Sequence, residues 1–265
     1  MCIVLAIDER TRIQSKGSMF SRHVKIFLLV AVLCANSSYG QNPRLLSSAH
    51  NAPPVWGVIE SPKSSGRHPG VVILHGSFGW RSNYAELAKV LADSGFVALA
   101  IDYYARDRND TVPAPPHGNW DDLQATVQSA VDYLQSLPSA SGRVGLIGFS
   151  RGAFLAVSIA SSIPVVRGIV DFYGGVWAKD PSINKQLSNF PPLLILHGEA
   201  DTLAPVKFAY ELKELVVARG GEVEMNLYPN APHSFFSNFI SGSTDSTISD
   251  ALSRTVRFLR ARLQE

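Results

Sequence analysis

Residues Gly145–Ala156 read GLIGFSRGAFLA, an apolar run followed by small residues, with one serine, Ser150, at the junction. The apolar run is typical of a buried strand, and the residues after the serine are typical of a helix. Gly148–Gly152 has the pattern G-x-S-x-G, which at a strand–helix junction forms a nucleophile elbow, a sharp turn that presents the serine hydroxyl. Glycine two residues before and after the serine removes the collisions that side chains would cause in this turn. The stretch therefore predicts a strand–turn–helix unit with Ser150 as a candidate nucleophile.

Two other interpretations of these glycines are a phosphate-binding loop and an ordinary strand–helix connection. The spacing of Gly145, Gly148 and Gly152 is G-x-x-G-x-x-x-G, which differs from the G-x-G-x-x-G of dinucleotide-binding folds, and no Gly-Lys-Ser/Thr follows. A phosphate-binding loop is therefore disfavoured. The pentapeptide alone leaves the ordinary connection open, so the elbow needs catalytic partners elsewhere in the chain.

Outside this stretch, short apolar runs alternate with longer amphipathic ones. The predicted strands cover residues 55–60, 71–75, 96–101, 144–149, 168–173, 192–197 and 222–228. The predicted helices cover residues 84–94, 121–137, 151–161, 208–219 and 249–263. Strands that are apolar almost throughout indicate a sheet buried on both faces, and their alternation with helices indicates mostly parallel pairing. The sequence therefore predicts one doubly wound α/β domain over residues 41–265.

A serine hydroxyl becomes an effective nucleophile when a base removes its proton and an acid orients that base. In folds built on a nucleophile elbow, the acid and the histidine follow the serine along the chain. Two histidines follow Ser150, and His197 precedes every acid of its own loop, so we assign the base to His233, in the loop after the last predicted strand. We interpret His197 as a packed or hydrogen-bonded residue at a strand end. A solvated loop histidine is the alternative for His233.

The acid of the predicted triad is Asp201, in the loop segment HGEAD. Glu199 in the same loop and Asp171 inside a predicted strand are the rival acids, and a structural role is our interpretation of both. All three members of the predicted triad follow the carboxyl ends of strands, where open α/β sheets place their ligands. We therefore expect them to converge on one edge of the sheet.

An oxyanion hole requires backbone N–H groups close to the serine. The amide of Arg151, the residue after the nucleophile, is one candidate, and the amide of Ser77, in HGSFGW (residues 75–80), is the other. Gly76 and Gly79 let the backbone of this loop approach a ligand closely. An ordinary glycine-rich turn is the alternative interpretation of the loop.

Four segments together resemble the dienelactone hydrolase family of the α/β-hydrolase superfamily. They are GFSRG, HGEAD, APHSF and residues 71–106, VVILHGSFGWRSNYAELAKVLADSGFVALAIDYYAR. The resemblance covers residues 55–263 and implies an α/β-hydrolase sheet. It also implies a carboxylic ester hydrolase with Ser150 as nucleophile, Asp201 and His233 as its partners, and the Ser77 and Arg151 amides as the oxyanion hole. This mechanism requires no metal or organic cofactor.

Two positions depart from the family members that act on dienelactones, which carry a cysteine nucleophile and a glutamate in the first loop. Ser150 and Gly76 stand at those positions here. The two changes agree, because a serine paired with a histidine base has no use for a carboxylate that interacts with a thiolate. Of the arginines with which the family holds a substrate carboxylate, Arg106 matches one, and Ser237 stands where another would be. We therefore predict a plain carboxylic ester as substrate, with Arg106 open between an acidic substrate group and a structural salt bridge.

The long connections over residues 103–118 and 174–191 are expected to shape the substrate pocket. We predict Phe78 and Trp120, in addition to Arg106, as residues that contact the substrate. Trp80 and Trp177 are further candidates. Burial in the core is the alternative for each of the tryptophans.

Residues 1–40 are predicted to be a leader. From Met19 the sequence MFSRHVKIFLLVAVLCANSSYGQ contains two basic residues, an apolar run over residues 26–35, and small residues before Gln41, as in a signal peptide. We therefore predict a start at Met19, export to the periplasm or the medium, and a mature domain from Gln41. An uncleaved membrane anchor is the alternative, although the apolar run is short for a bilayer span.

The charge and the cysteines of the chain restrict its function further. The whole chain has 24 Lys and Arg and 22 Asp and Glu, but residues 41–265 contain 19 basic and 20 acidic residues, which gives no support for nucleic-acid binding. Both cysteines, Cys2 and Cys34, lie in the leader, so disulfides, thiolate catalysis and cysteine metal ligands are excluded for the predicted mature domain.

These observations predict a serine hydrolase that cleaves a small carboxylic ester or lactone through an acyl-enzyme. A non-catalytic secreted binding module on the same fold is one alternative, and a thioesterase or peptidase of the same superfamily is another. The predicted partner is a small-molecule ester, with no nucleic acid and no stable membrane association after cleavage of the leader.

Overall fold

The structure is a computed structural model and describes residues 42–47, 52–105, 119–177, 185, 187, 189–239 and 244–264. The predicted leader with both cysteines, most of the connection over residues 103–118, and Arg106 lie outside these residues. The predictions that concern them therefore stay predictions.

One eight-stranded sheet forms the centre of the described part of the chain. Its strands are β1 (Arg44–Ser47), β2 (Val55–Glu60), β3 (His68–Leu74), β4 (Val97–Ile101), β5 (Ala140–Phe149), β6 (Val166–Phe172), β7 (Leu193–Gly198) and β8 (Val223–Tyr228). The helices are α1 (Ser82–Asp93), α2 (Trp120–Ser136), α3 (Arg151–Ile159), α4 (Lys207–Val217) and α5 (Ser246–Leu263), and a short 3-10 helix (Ala160–Ser162) continues α3. None of the helices in the described residues is long and apolar enough to cross a bilayer.

The strands are arranged in the order β1-β2-β4-β3-β5-β6-β7-β8. β2 is antiparallel to both of its neighbours, and β3 to β8 pair in parallel. The doubly wound, mostly parallel sheet that the sequence predicted is therefore confirmed, and each predicted strand and helix is present with ends within four residues of the prediction. The sequence did not predict β1, a four-residue edge strand with half-exposed side chains that lacks the apolar run of the buried strands.

The core lies in two layers, one on each face of the sheet. Alternate residues of a strand point to opposite faces, and in β3 Val72 and Leu74 pack in one layer whereas Val71 and Ile73 pack in the other. The first layer contains buried residues of α2, α3 and α4, and the second those of α1 and α5. All four β3 side chains are fully buried, and burial of such a side chain contributes about 1.5–3 kcal/mol.

The parallel part of the sheet determines where the predicted catalytic residues meet. Because β3 to β8 are parallel, their carboxyl ends lie at one edge, here called the carboxyl edge. Ser150 directly follows β5, Asp201 lies in the loop after β7, and His233 lies in the loop after β8. The loop HGSFG, residues 75–79, follows β3 at the same edge.

Candidate active site

Ser150 lies in a strained turn between β5 and α3. Its backbone angles are φ 51° and ψ −118°, a region that a residue with a side chain adopts at a cost of about 1–3 kcal/mol. A Cβ on Gly148 would lie 2.4 Å from the carbonyl oxygen of Gly152, and a Cβ on Gly152 would lie 2.4 Å from that of Leu74. Neither position accepts a side chain, so both glycines of G-x-S-x-G are required for the turn that the sequence predicted. The Ser150 N–H donates to the Phe172 carbonyl at 2.9 Å and holds the turn against β6.

The three residues of the predicted triad lie in one chain of hydrogen bonds. His233 Nε2 is 3.0 Å from Ser150 Oγ, and His233 Nδ1 is 2.6 Å from Asp201 Oδ2. A carboxylate can only accept, so Nδ1–H donates to Asp201, and Nε2 is left to accept the serine O–H. The Asp201 side chain is fully buried and the His233 side chain is 10% exposed. The order of donors is the one in which the imidazole can remove the serine proton.

Backbone amides hold Asp201 in this orientation. The N–H groups of Leu203 and Ala204 donate to Oδ1 at 2.9 and 2.8 Å, which leaves Oδ2 for His233. These bonds fold the loop after β7 back over the carboxylate, as an Asx turn does. The carboxylate therefore reaches His233 from a rigid support.

His197 is the last residue but one of β7 and lies beside the Asp201 carboxylate, where its role is structural. It is fully buried, and its Nε2 lies 2.8 Å from the Ala204 carbonyl and 3.3 Å from Asp201 Oδ2. Burial lowers the pKa of this imidazole, so the ring is neutral and donates its Nε2–H to these acceptors. The packed, hydrogen-bonded role predicted for His197 is confirmed.

The rival acids are placed away from His233. Glu199 is exposed, and its amide donates to the Tyr228 carbonyl. Asp171 is fully buried in β6, and its Oδ1 accepts the Gly174 N–H at 2.7 Å. Burial raises the pKa of this carboxyl to about 7. Asp171 therefore holds the loop that follows β6, in agreement with the structural role predicted for it.

The two predicted oxyanion donors lie beside the serine. Ser77 and Arg151 both line the cavity that contains Ser150 and His233. Arg151 is the first residue of α3, and the first amides of a helix have no partner within the helix. The loop that carries Ser77 is tightly turned, since the Gly79 N–H donates to the Gly76 carbonyl at 3.0 Å and Gly79 has φ 78°. The assignment of these two amides to an oxyanion remains a prediction.

The active-site cavity has a volume of about 370 Å³, and its lining contains a polar set and a largely aromatic set of residues, called here the polar wall and the aromatic wall. The polar wall contains Ser77, Arg81, Tyr84, Tyr173, Ser234 and Ser237. The aromatic wall contains Phe154, Trp177, Leu203, Ala204 and Phe208. Among the described residues that line the cavity, none has a carboxylate side chain. A larger groove of about 810 Å³, between α1 and α5, is lined by none of the predicted site residues that the structure describes.

The predicted substrate contacts have different positions. Phe78 lines the mouth of the cavity and is 79% exposed, with the Arg81 guanidinium carbon 5.5 Å from its ring centroid. Trp120 is not among the described lining residues, and its indole packs against the Arg151 guanidinium and, in a T-shaped arrangement, against the Trp177 indole. Trp177, the other candidate, lines the cavity and stacks on Phe154 at 4.7 Å.

Sequence reasoning missed two tyrosines of the polar wall. Tyr173 directly follows β6, has φ 43°, and packs edge-on against the His233 ring at 5.0 Å. Tyr84 lies in α1, and its hydroxyl accepts the Gly76 N–H at 3.2 Å. Burial raises the pKa of both phenols, so both are neutral. The position of Tyr173 at the end of a buried strand was a usable signal, whereas Tyr84 fits the apolar stripe of its helix and gave none.

Among the described residues, no group of three or more His, Cys, Asp or Glu side chains is placed to hold a metal ion.

Comparisons with known proteins agree with this fold. The family model of the dienelactone hydrolase family matches residues 55–263. The carboxymethylenebutenolidase of Pseudomonas putida is 27% identical over 224 residues, which are 77% of this chain and 90% of that protein.

Two solved structures share the fold. A dienelactone hydrolase-like promiscuous phosphotriesterase from metagenomic libraries superposes with a TM-score of 0.69 at 23% identity, over 83% of this chain and 98% of that one. A thermophilic esterase of Thermogutta terrifontis superposes with a TM-score of 0.64 at 18% identity, over 84% of this chain and 94% of that one.

Proposed function

Since the chain belongs to the dienelactone hydrolase family and is a carboxylic ester hydrolase, we propose that it cleaves a small carboxylic ester or lactone with Ser150 as the nucleophile. The observation that carries the proposal is the chain of hydrogen bonds from Ser150 Oγ through His233 to Asp201, with distances of 3.0 and 2.6 Å. The strained turn at Ser150 supports it, because strain of this kind is retained where a side chain must be presented in one orientation.

In the first half of the reaction, Ser150 Oγ attacks the carbonyl carbon and its proton passes to His233 Nε2. Asp201 accepts from Nδ1–H throughout and stabilises the positive charge that forms on the ring. The electron pair of the carbonyl bond moves onto the carbonyl oxygen, which the amides of Ser77 and Arg151 stabilise. When the intermediate collapses, His233 gives its proton to the leaving alcohol and the acyl-enzyme remains.

In the second half, a water molecule takes the place of the alcohol. His233 removes a proton from this water, which attacks the acyl carbon, and the reaction then runs through a second tetrahedral intermediate. The bond to Ser150 Oγ breaks, the serine regains its proton from His233, and the carboxylic acid leaves. For a lactone the alcohol and the acid are parts of one product molecule.

The cavity supports a small substrate with an apolar group. Its volume of about 370 Å³ lies near the lower end of the range of about 300–1,000 Å³ for ligand sites. Phe154 stacks on Trp177 and meets Phe208 edge-on at 6.0 Å, which makes a continuous aromatic surface one turn of α3 away from Ser150. We therefore propose that the acyl or the alcohol group of the substrate lies against this aromatic wall, with the ester carbonyl between the two walls.

The first experiment is covalent labelling combined with turnover. The wild-type chain should react with a fluorophosphonate at Ser150, as located by peptide mass spectrometry, and should hydrolyse p-nitrophenyl acetate. Ser150→Ala should remove both properties and lower kcat by about 10⁴-fold or more. A matched control is Ser136→Ala, which removes an exposed serine hydroxyl of α2 that donates to the Tyr133 carbonyl. Hydrolysis by Ser150→Ala at the parent rate would refute the proposal.

The same assay separates the alternatives. A non-catalytic binding module would show neither turnover nor labelling at Ser150. A thioesterase or a peptidase would be labelled, but would prefer thioesters or amides to oxygen esters of the same acyl group. Measured kcat/KM values for such a matched series therefore decide between the classes.

We also propose export by the leader, on the basis of the sequence from Met19 alone. Expression of the full chain in a bacterium with a periplasm should give a periplasmic protein that begins at Gln41. Mass spectrometry of the intact protein and N-terminal sequencing would measure this start. A chain recovered from the cytosol with the apolar run of residues 26–35 still attached would contradict the proposal.

A further inference from the structure

Tyr84 brings a phenol hydroxyl into the active-site cavity beside the loop that follows β3. The Gly76 N–H donates to the phenol oxygen at 3.2 Å, and Tyr84 lines the same cavity as Ser150 and His233. The ring is 9% exposed and packs against Phe149, with the ring centroids 5.4 Å apart. A side chain held by the core and by a backbone amide presents its hydroxyl at a defined place.

The lack of a side chain at Gly76 leaves the space between this hydroxyl and the serine open. A Cβ on Gly76 would lie 3.5 Å from Ser150 Cβ and 4.0 Å from the Tyr84 oxygen. The Ser150 side chain and the Tyr84 hydroxyl therefore border one space of about the size of a methyl group, which the Phe149 carbonyl oxygen, 3.4 Å from the same Cβ position, also borders.

The hydrogen bonds of Tyr84 leave its proton available. A phenol has one O–H donor and two acceptor lone pairs, and the Gly76 N–H occupies an acceptor site. Within the described part of the chain, no acceptor forms a hydrogen bond with the Tyr84 O–H. Burial raises the pKa of this phenol, so the group stays protonated at neutral pH. A neutral donor that faces the reacting atoms is what a developing oxyanion requires.

We propose that Tyr84 is a third hydrogen-bond donor to the oxyanion, beside the backbone amides of Ser77 and Arg151. This inference rests on the proposed role of Ser150. When Ser150 Oγ bonds to the carbonyl carbon, the electron pair of the carbonyl moves onto its oxygen and the serine proton passes to His233. The Tyr84 O–H donates to that oxygen and keeps its proton. When the pair returns to form the carbonyl again, the bond to the leaving group breaks.

The test compares two tyrosine-to-phenylalanine variants that each remove one hydroxyl bonded to the backbone of the loop after β3. Tyr84→Phe removes the hydroxyl in the cavity. Tyr103→Phe removes a buried hydroxyl that donates to the His75 carbonyl at 2.7 Å from outside the cavity. Both variants retain the aromatic ring, so packing is conserved, and the second measures the effect of weaker support for the loop alone.

We expect Tyr84→Phe to lower kcat about 10- to 100-fold with little change in KM, because one of three oxyanion donors is lost. Tyr103→Phe should change kcat by no more than about twofold to threefold, whatever its effect on Tm. The affinity of a boronic acid that mimics the tetrahedral intermediate should fall in Tyr84→Phe by the same factor as kcat/KM. A loss of kcat in Tyr84→Phe no larger than that in Tyr103→Phe would overturn the proposal.

Replacement of Tyr84 by 3,5-difluorotyrosine supplies a second measurement, the alkaline pH dependence of kcat, which should not change if Tyr84 only supports the loop. Fluorination makes the phenol more acidic, so the side chain ionises at a lower pH. An ionised phenol accepts from Gly76 N–H more strongly but can no longer donate. A donor role therefore predicts a new loss of kcat on the alkaline side, at the pH where the absorbance of the phenolate rises. If kcat shows no such alkaline loss, Tyr84 supports the loop only and the proposal fails.

Failure of this proposal is separable from failure of the proposed function. Labelling of Ser150 by a fluorophosphonate and the inactivity of Ser150→Ala test the nucleophile without reference to Tyr84. A chain that passes both tests, and whose Tyr84→Phe variant keeps the parent kcat, retains the serine mechanism with two oxyanion donors.

Discussion

Two of the histidine–aspartate pairs at the carboxyl edge of the sheet, His75–Asp102 and His233–Asp201, can be compared, and the second contacts the serine. His75 follows β3 and faces Asp102, which follows β4, with Nε2 3.3 Å from Oδ1. His233 faces Asp201 with Nδ1 2.6 Å from Oδ2. Both imidazoles are nearly buried, and in each pair the aspartate and the histidine follow different strands. By residue type and location, the two pairs are equivalent.

The two pairs differ in the group that faces the second ring nitrogen of the histidine. In His75, Nδ1 lies 2.8 Å from the Gly76 carbonyl, so both nitrogens face protein acceptors. Tyr103 stacks on this ring at 3.9 Å and Tyr104 meets it edge-on at 4.8 Å. In His233 the second nitrogen faces a hydroxyl that can donate. An imidazole–carboxylate pair can therefore act as a base only where one nitrogen is left for a proton donor, and the His75 pair instead stabilises the loop after β3.

The largest effect is expected from the imidazole that faces the serine. His233→Ala should lower kcat by about 10⁵-fold or more, because the variant lacks the imidazole nitrogen that is hydrogen-bonded to Ser150 Oγ. Ester hydrolysis measures kcat, and fluorophosphonate labelling of Ser150 should be lost in parallel. His68→Ala is the control, since this half-buried histidine bonds to Ser64 at the opposite end of β3. Retained labelling in His233→Ala would show that the serine is activated by another group.

The next comparison replaces the aspartate of each pair, Asp201 or Asp102, by asparagine, which exchanges one carboxylate oxygen for an NH₂ group. Asp201→Asn should lower kcat by about 10⁴-fold, because an amide facing Nδ1 favours the tautomer whose Nε2 carries the proton and cannot accept from Ser150. KM should change little, and Tm should remain close to that of the parent. A variant with full kcat would mean that the carboxylate does not orient His233.

Asp102→Asn makes the same change in the other pair and should have a small effect on catalysis. Asp102 Oδ1 accepts from His75 and, at 3.3 Å, from the Tyr104 N–H, and an amide oxygen can keep part of this role. We expect kcat within about tenfold of the parent and a Tm lower by about 2–4 °C. A loss of kcat as large as that of Asp201→Asn would abolish the distinction between the two pairs.

Asp171 is a buried aspartate whose partner is the Gly174 N–H instead of a histidine. We expect its substitution to have the smallest effect of the series, and this effect is on stability. Burial raises the pKa of Asp171 from 3.8 to about 7, so the folded chain binds a proton that the unfolded chain releases. Its contribution to stability is therefore full below pH 3.8 and is lost as the pH rises through about 7. Asp171→Asn mimics the protonated acid, so its Tm relative to the parent should rise across this window and level off above it.

Thermal unfolding of both chains at a series of pH values measures this difference. A Tm difference that does not depend on pH would show that Asp171 is ionised in the folded chain. Asp201→Asn is the comparison variant in these thermal measurements. The Asp201 carboxylate that it replaces is bonded to the amides of Leu203 and Ala204 and to His233.

The residues of the candidate site could be predicted from the sequence to different degrees. Ser150 carries a local pattern, and the chain order of elbow folds then selects Asp201 and His233. Trp120 and Trp177 could not be separated, because both lie near strand or helix ends and only packing decides which indole faces the cavity. Tyr84 could not be found, because its spacing in α1 is that of an ordinary core residue.

The strand–helix alternation, the mostly parallel sheet, the strained turn at Ser150 and the chain order of Ser150, Asp201 and His233 can all be predicted from the amino-acid sequence. These follow from local patterns, since apolar periodicity and glycine spacing act over a few residues. The folded chain is needed to show which imidazole has a nitrogen facing the serine, how the edge strand β1 pairs, and that Tyr84 lines the active-site cavity. Each of these depends on the distance between atoms that are far apart along the chain, and packing of the two core layers sets that distance.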